Sequence, residues 1–126
     1  MKLIAGLVAA PIAATVALAL SAPAPAQQSG PQAFAACKAC HTLNKGGRNG
    51  IGPNLSGLFT RPPASAPGFN YSAALKKAQI KWDDKSLNEF LAAPQKKVPG
   101  TRMPIATPDP AKRAAIIAYL KAETVK

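Results

Sequence analysis

The sequence predicts an all-α domain in which short helices and long irregular loops wrap around one bound group, and three observations predict it. Apolar residues recur at helical spacing in short capped runs, and no stretch alternates as a strand does. Residues 42–70 are punctuated by Gly46, Gly47, Gly50, Gly52, Pro53, Gly57, Pro62, Pro63, Pro67 and Gly68. A loop of that length inside a compact domain needs something to enclose. Finally, both cysteines and the single histidine fall together, in Cys37-Lys38-Ala39-Cys40-His41.

That C-x-x-C-H sequence has the form of covalent c-type haem attachment. Two thiols a short turn apart can add to the two vinyl groups of one porphyrin, and the imidazole that follows lies under the iron as its proximal ligand. A zinc site needs two further Cys or His ligands, which the chain lacks. A redox dithiol of the thioredoxin kind follows a strand in a βαβ pattern, whereas Ala- and Pro-rich sequence surrounds this pair. The cofactor predicted is therefore one haem c, attached through Cys37 and Cys40.

At the N-terminus, Lys2 precedes an apolar run to Leu20, and Ala24-Pro25-Ala26 has the small-x-small form of a signal-peptidase site. Residues 1–26 read as a signal peptide and residues 27–126 as a monohaem domain. The run is about long enough to cross a bilayer, so a retained anchor is the alternative. Its alanine content, Pro11 and the short spacing to the first predicted helix favour cleavage, a periplasmic location and no stable membrane insertion. Export agrees with haem attachment, because thioethers of this kind form outside the bacterial cytoplasm. A mature chain of about 100 residues with few aromatics buries a modest core, so the macrocycle should be a major part of it and the apo-chain should not fold stably.

Each helix has its own signal. The first is expected from about Gln32 through Phe34 into the cysteines, with Phe34 and Cys37 on one face. Residues 71–78 read as a short helix with Ser72 near its N-cap. Trp82-Asp83-Asp84 precedes a run over residues 85–93 in which Leu87, Phe90 and Leu91 share a stripe, with acids at its positive end. Pro94 stops that helix, and residues 95–108 read as a second irregular segment. Asp109-Pro110 is an N-cap followed by proline, opening a helix over residues 111–123 with Ile116, Ile117 and Leu120 inward.

The iron needs a sixth ligand or an open position. Bis-histidine ligation within the chain is excluded, and Met103 is the only methionine besides Met1. Alone, a loop methionine reads as a core filler. Beside a C-x-x-C-H, in a loop bounded by Pro99, Gly100 and Pro104, it reads as the second axial ligand. The competing reading keeps Met103 as packing and leaves an open-site haem enzyme or gas-binding sensor, such as a small peroxidase.

The formal charge is +11, or +10 once Lys2 is removed. Such an excess suits nucleic acid, an acidic membrane or an acidic protein. The leader and the absence of a binding motif disfavour nucleic acid. Lys38, Lys45, Lys96, Lys97 and Arg102 lie in the two segments expected to flank the haem edge, while acids gather at Asp83, Asp84 and Glu89; this predicts a sided field, with a plain solvated face as the alternative.

Several ordered motifs now resemble a class I cytochrome c, of the bacterial cytochrome c2 and mitochondrial type. Gly30-x-x-x-Phe34-x-x-Cys37 is similar to that family's first helix, whose glycine lets the terminal helices cross closely. Gly52-Pro53-Asn54-Leu55 resembles the segment whose proline carbonyl accepts a hydrogen bond from the proximal imidazole. Gly57-Leu58-Phe59-Thr60-Arg61 and Pro67-Gly68-Phe69-Asn70-Tyr71-Ser72 resemble the part that encloses the haem propionates, so Arg61, Tyr71, Ser72 and Trp82 are implied around those carboxylates. Tyr71 and Trp82 as plain core aromatics are the alternative. Pro99-Gly100-Thr101-Arg102-Met103 resembles the axial methionine loop, with Thr101 in the haem's surroundings, and residues 113–119 resemble the closing helix.

The resemblance implies a soluble, monomeric one-electron carrier and no enzyme. It implies acidic docking surfaces on partners such as a cytochrome bc1 complex, a terminal oxidase, a reaction centre or a periplasmic dehydrogenase. Three departures carry consequences. Phe90 stands where many relatives have a tyrosine near the methionine sulfur, Ile105 where an aromatic is common, and Arg102 where a lysine that displaces methionine at high pH occurs, leaving Lys96 or Lys97 for that part.

Overall fold

The computed structural model describes residues 28–125, and the predicted signal peptide lies outside the described residues. Five α-helices and one 3₁₀ turn make up its regular structure, and there is no strand among the described residues.

Helix α1 (Gly30–Ala33) begins two residues before the sequence suggests and stops sooner. Ser29 and Gln32 form its capping box, and Pro31 sits in the first turn, where no N–H is needed. Phe34 closes it, and the chain tightens into a 3₁₀ turn over Ala35–Ala39. The single helix expected through the cysteines is thus two pieces. The tighter winding has a use, since three residues per turn eclipses positions i and i+3 and so stacks Cys37 and Cys40 on one side. The amides of Cys40 and His41 both donate to the Cys37 carbonyl, at 3.1 and 2.9 Å.

Helix α2 (Ala73–Lys77) is capped by Ser72, whose Oγ accepts from the Leu75 amide at 3.1 Å. Asp83 caps α3 (Asp84–Ala92) through the Ser86 amide at 2.8 Å, and α3 buries Leu87, Phe90 and Leu91 as the stripe predicts. Pro94 does more than stop α3. It is the first residue of α4 (Pro94–Lys97), so the segment read as irregular from residue 95 starts with a helical turn. Its fixed φ and missing N–H suit that position once Ala93, at φ −157°, has broken the preceding helix. The Asp109 carboxylate caps α5 (Pro110–Thr124), which turns Ile116, Ile117 and Leu120 inward.

Helices α1 and α3 both pack against α5. A Cβ on Gly30 would stand 2.7 Å from that of Tyr119, so glycine permits this crossing. Phe34 fills the same joint, its ring 5.6 Å from that of Tyr119. Phe34, Leu87, Leu91, Ile116 and Leu120 form one core with Trp82 and Leu58. The long loop is tied to this frame where Gly57 donates its amide to the Thr124 carbonyl at 2.9 Å.

Candidate cofactor site

Loops and helices enclose a cavity of about 220 Å³. All ten residues singled out in the sequence line it, although they come from six separate stretches of chain. Leu58, Leu87, Leu91, Ile116 and Leu120 add an apolar wall.

The 3₁₀ turn brings Cys37 and Cys40 to this lining, both half-buried and both free of a disulfide. Burial pushes the Cys37 thiol above its ordinary value, and Lys112 on α5 opposes the shift. Nδ1 of His41 donates to the Pro53 carbonyl at 2.7 Å. Burial lowers the imidazole's pKa below its usual value, offset in part by that bond. The ring is therefore neutral near pH 7, with its proton on Nδ1 and a lone pair on Nε2. A Cβ on Gly52 would lie 2.8 Å from both ring nitrogens, so only glycine leaves the ring its place.

Met103 is half-buried and packed against the core. Its amide approaches Thr101 Oγ1 at 3.5 Å, and buried Thr101 is anchored through its own amide to Val98 at 3.0 Å. Tyr71, Ser72 and Trp82 are all buried. The Tyr71 hydroxyl accepts from the Ala66 amide at 3.0 Å and the Ser72 hydroxyl accepts from Leu75, while the Trp82 ring packs edge-on to Phe90 at 5.1 Å. Among the described residues, none of these three donates its O–H or N–H to a protein acceptor. Each hydroxyl is already partnered as an acceptor, and no fully buried side-chain polar atom among the described residues lacks a partner, so what the three leave available on the cavity lining is a proton each to donate. Arg61 is placed differently: its guanidinium donates to the carbonyls of Asn54 (2.9 Å) and Ser56 (3.0 Å) and to Ser65 Oγ (3.2 Å), bracing the loop while it lines the cavity.

This lining fits a haem c. Two thiols, a neutral imidazole with a free Nε2, a thioether, an apolar wall and buried donors for carboxylates are the groups that cofactor uses. The cytochrome c family profile matches residues 27–123. The chain belongs to the cytochrome c family. It is 44% identical over 93 residues to cytochrome c2 of Rhodoblastus acidophilus, covering 73% of this chain and 87% of that one. Against cytochrome c of Guizotia abyssinica it is 43% identical over 105 residues, covering 82% and 95%. Among solved structures, cytochrome cH from Methylobacterium extorquens superposes with a TM-score of 0.68 at 47% identity, covering 74% of this chain and 94% of that one. The family is one of haem electron carriers, and it binds haem c covalently. The fold is the all-α class I cytochrome c fold expected.

Sequence reading missed two neighbours of the site. Lys112 reaches the vicinity of Cys37 from α5, and its signal was its place one turn before buried Ile116. Asn54 carries no chemistry of its own in the motif, and only its hydrogen bonds reveal it. The basic residues also divide. Lys38, Lys45, Lys96 and Arg102 are exposed, whereas Lys97 pairs with Glu89 and holds that carboxyl below its usual range. Ile51 and Ile105, 83% and 57% exposed, line the cavity too and so stand at its mouth. No helix among the described residues is long and apolar enough to cross a membrane.

Proposed function

We propose that this cytochrome is a soluble periplasmic one-electron carrier whose haem is attached through Cys37 and Cys40 and ligated by His41 and Met103. The observation that carries the reading is the convergence of the C-x-x-C-H side chains, Met103, Tyr71, Ser72 and Trp82 on one cavity. When bound, haem c supplies an iron that takes up and gives back a single electron.

The protein's own groups set the conditions for that exchange. The His41 Nδ1–H bond to Pro53 fixes the ring and makes Nε2 a stronger donor. The Met103 thioether is a weak, neutral donor that would favour the reduced state, and as a ligand it would leave no open position for substrate. Tyr71, Ser72 and Trp82, buried on the cavity lining, would donate to the propionates and so let those carboxylates stay ionised beside apolar walls. Side chains held in a close-packed core move little when the charge at the centre changes.

Exposed Lys38, Lys45, Lys96 and Arg102 support docking on acidic surfaces of redox partners: a cytochrome bc1 complex, a terminal oxidase, a reaction centre or a periplasmic dehydrogenase. Such encounters are steered and transient. Electron transfer to a membrane oxidase should slow steeply as ionic strength rises, and a rate indifferent to salt would argue against this mode of docking.

A further inference from the structure

We propose that Asn54 is the positioning residue for the His41–Pro53 pair, a role that rests on His41 being the proximal ligand. Pro53 has no N–H, and its carbonyl is taken by the His41 ring, so its position must be set through its neighbours. On one side the Gly52 amide donates to the Cys40 carbonyl at 2.9 Å. On the other stands Asn54, and every polar group of Asn54 is engaged.

Its Nδ2 donates to Thr42 Oγ1 at 2.7 Å and to the Asn44 carbonyl at 2.9 Å. Its Oδ1 accepts from the Ser56 amide at 3.0 Å, its own amide donates to Asn49 Oδ1 at 2.8 Å, and its carbonyl accepts from Arg61. Thr42 directly follows His41 and Asn54 directly follows Pro53. The Asn54–Thr42 bond therefore closes a ring, with His41 bonded to Pro53 on one side and the residues next to each bonded on the other. Leu55 reinforces it through its amide to the Thr42 carbonyl at 2.9 Å. Within this ring the Pro53 carbonyl has little room to turn away from Nδ1. Space for the amide depends on Gly47, where a Cβ would meet Asn54 Nδ2 at 2.7 Å and, at 2.6 Å, the Oδ1 of Asn44, whose carbonyl accepts from that same Nδ2.

The test is made on holoprotein, following the His41 Nδ1 proton by NMR in the reduced state together with the reduction potential. Asn54→Ala removes the amide, and Gly47→Ala pushes it aside without removing an atom of it. Exchange of the Nδ1 proton should quicken about tenfold in either variant. The potential should rise, because a looser hydrogen bond leaves the imidazole a weaker donor. Exchange and potential equal to wild type, with only the melting temperature lowered, would overturn the proposal and leave Asn54 as a loop brace. If Asn54→Ala yields no holoprotein, Gly47→Ala decides alone. A wild type whose His41 resonances show no shift from the haem would instead overturn the ligation on which the proposal rests.

Discussion

The two loops that carry the proposed axial side chains are held in different ways. Around His41, the segment of residues 42–61 is laced to itself: Thr42, Asn44, Asn49, Asn54 and Arg61 exchange hydrogen bonds along its length. Around Met103 the chain is held at its ends. Thr101 is fixed through Val98 and Gln95 on one side, and the Thr107 amide bonds the Leu91 carbonyl at 2.7 Å on the other. Between them, residues 104–106 are exposed and make no protein hydrogen bond among the described residues. A densely bonded loop loses its shape only as a whole, whereas a strap pinned at two points can lift in the middle. The weaker ligand thus sits on the looser side, and the site should open there first.

The largest effect expected removes what both loops enclose. A Cys37→Ala, Cys40→Ala double variant loses the covalent link, and its circular dichroism should show no cooperative melt. A native-like melt would mean that the loops hold themselves. Next in size, Arg113 pins the Met103 strap, donating to the carbonyls of Thr107 (2.9 Å) and Pro108 (2.8 Å) and to Asn88 on α3 (2.8 Å). Arg113→Ala should cost about 2 kcal/mol. It should also speed amide exchange at Thr101 and Thr107, the bonded amides of the strap, while leaving Gly52 and Leu55 protected, and equal acceleration in both loops would erase the contrast. At high pH the lifted Met103 should be replaced by Lys96, since Lys97 is engaged with Glu89.

Where the two loops pass was legible in the sequence, and the limits of that reading are physical. The C-x-x-C-H, the Gly52-Pro53 step and the Pro99–Met103 segment announce where the two loops pass, because they constrain backbone and donor chemistry locally. The stripes Leu87/Phe90/Leu91 and Ile116/Ile117/Leu120 find the walls, since burial imposes a period. How firmly each loop is held was not legible. That depends on which of many polar side chains meet, and nothing in the spacing of Thr42 and Asn54 says that they touch. The break of the first helix at Phe34 and the extra turn at Pro94 were hidden for a related reason, because 3₁₀ and α turns share the same residues and a proline can end one helix while starting another.

Two smaller effects sharpen the comparison. Phe90 lines the same cavity as Met103 and packs on Trp82, and the family resemblance puts a tyrosine hydroxyl near the methionine sulfur at this position, which Phe90→Tyr restores. That donor should weaken the sulfur and raise the reduction potential by something on the order of tens of millivolts, read by spectroelectrochemistry. No rise would separate Phe90 from the methionine. The smallest effect is acid sensitivity. The Asp83 carboxyl is lowered chiefly by the Ser86 amide and that of Glu89 by its hydrogen bond to Lys97. Groups depressed in the folded state stabilise it above their unfolded pKa and lose that contribution as pH falls through the depressed value. The melting temperature should therefore decline modestly below about pH 4, and less so in Glu89→Gln.

The central claim, that Met103 closes the second axial position, is tested most directly by the absorption spectrum of the haem-loaded protein with and without Met103→Ala, followed by carbon monoxide addition to the reduced form. The account predicts that wild type shows the near-infrared band of methionine-ligated ferric haem and ignores the gas, while the variant loses the band and binds it. Ready binding of carbon monoxide by wild type would contradict the account: the site would be open, Met103 a packing residue, and the protein a ligand-binding or catalytic haem.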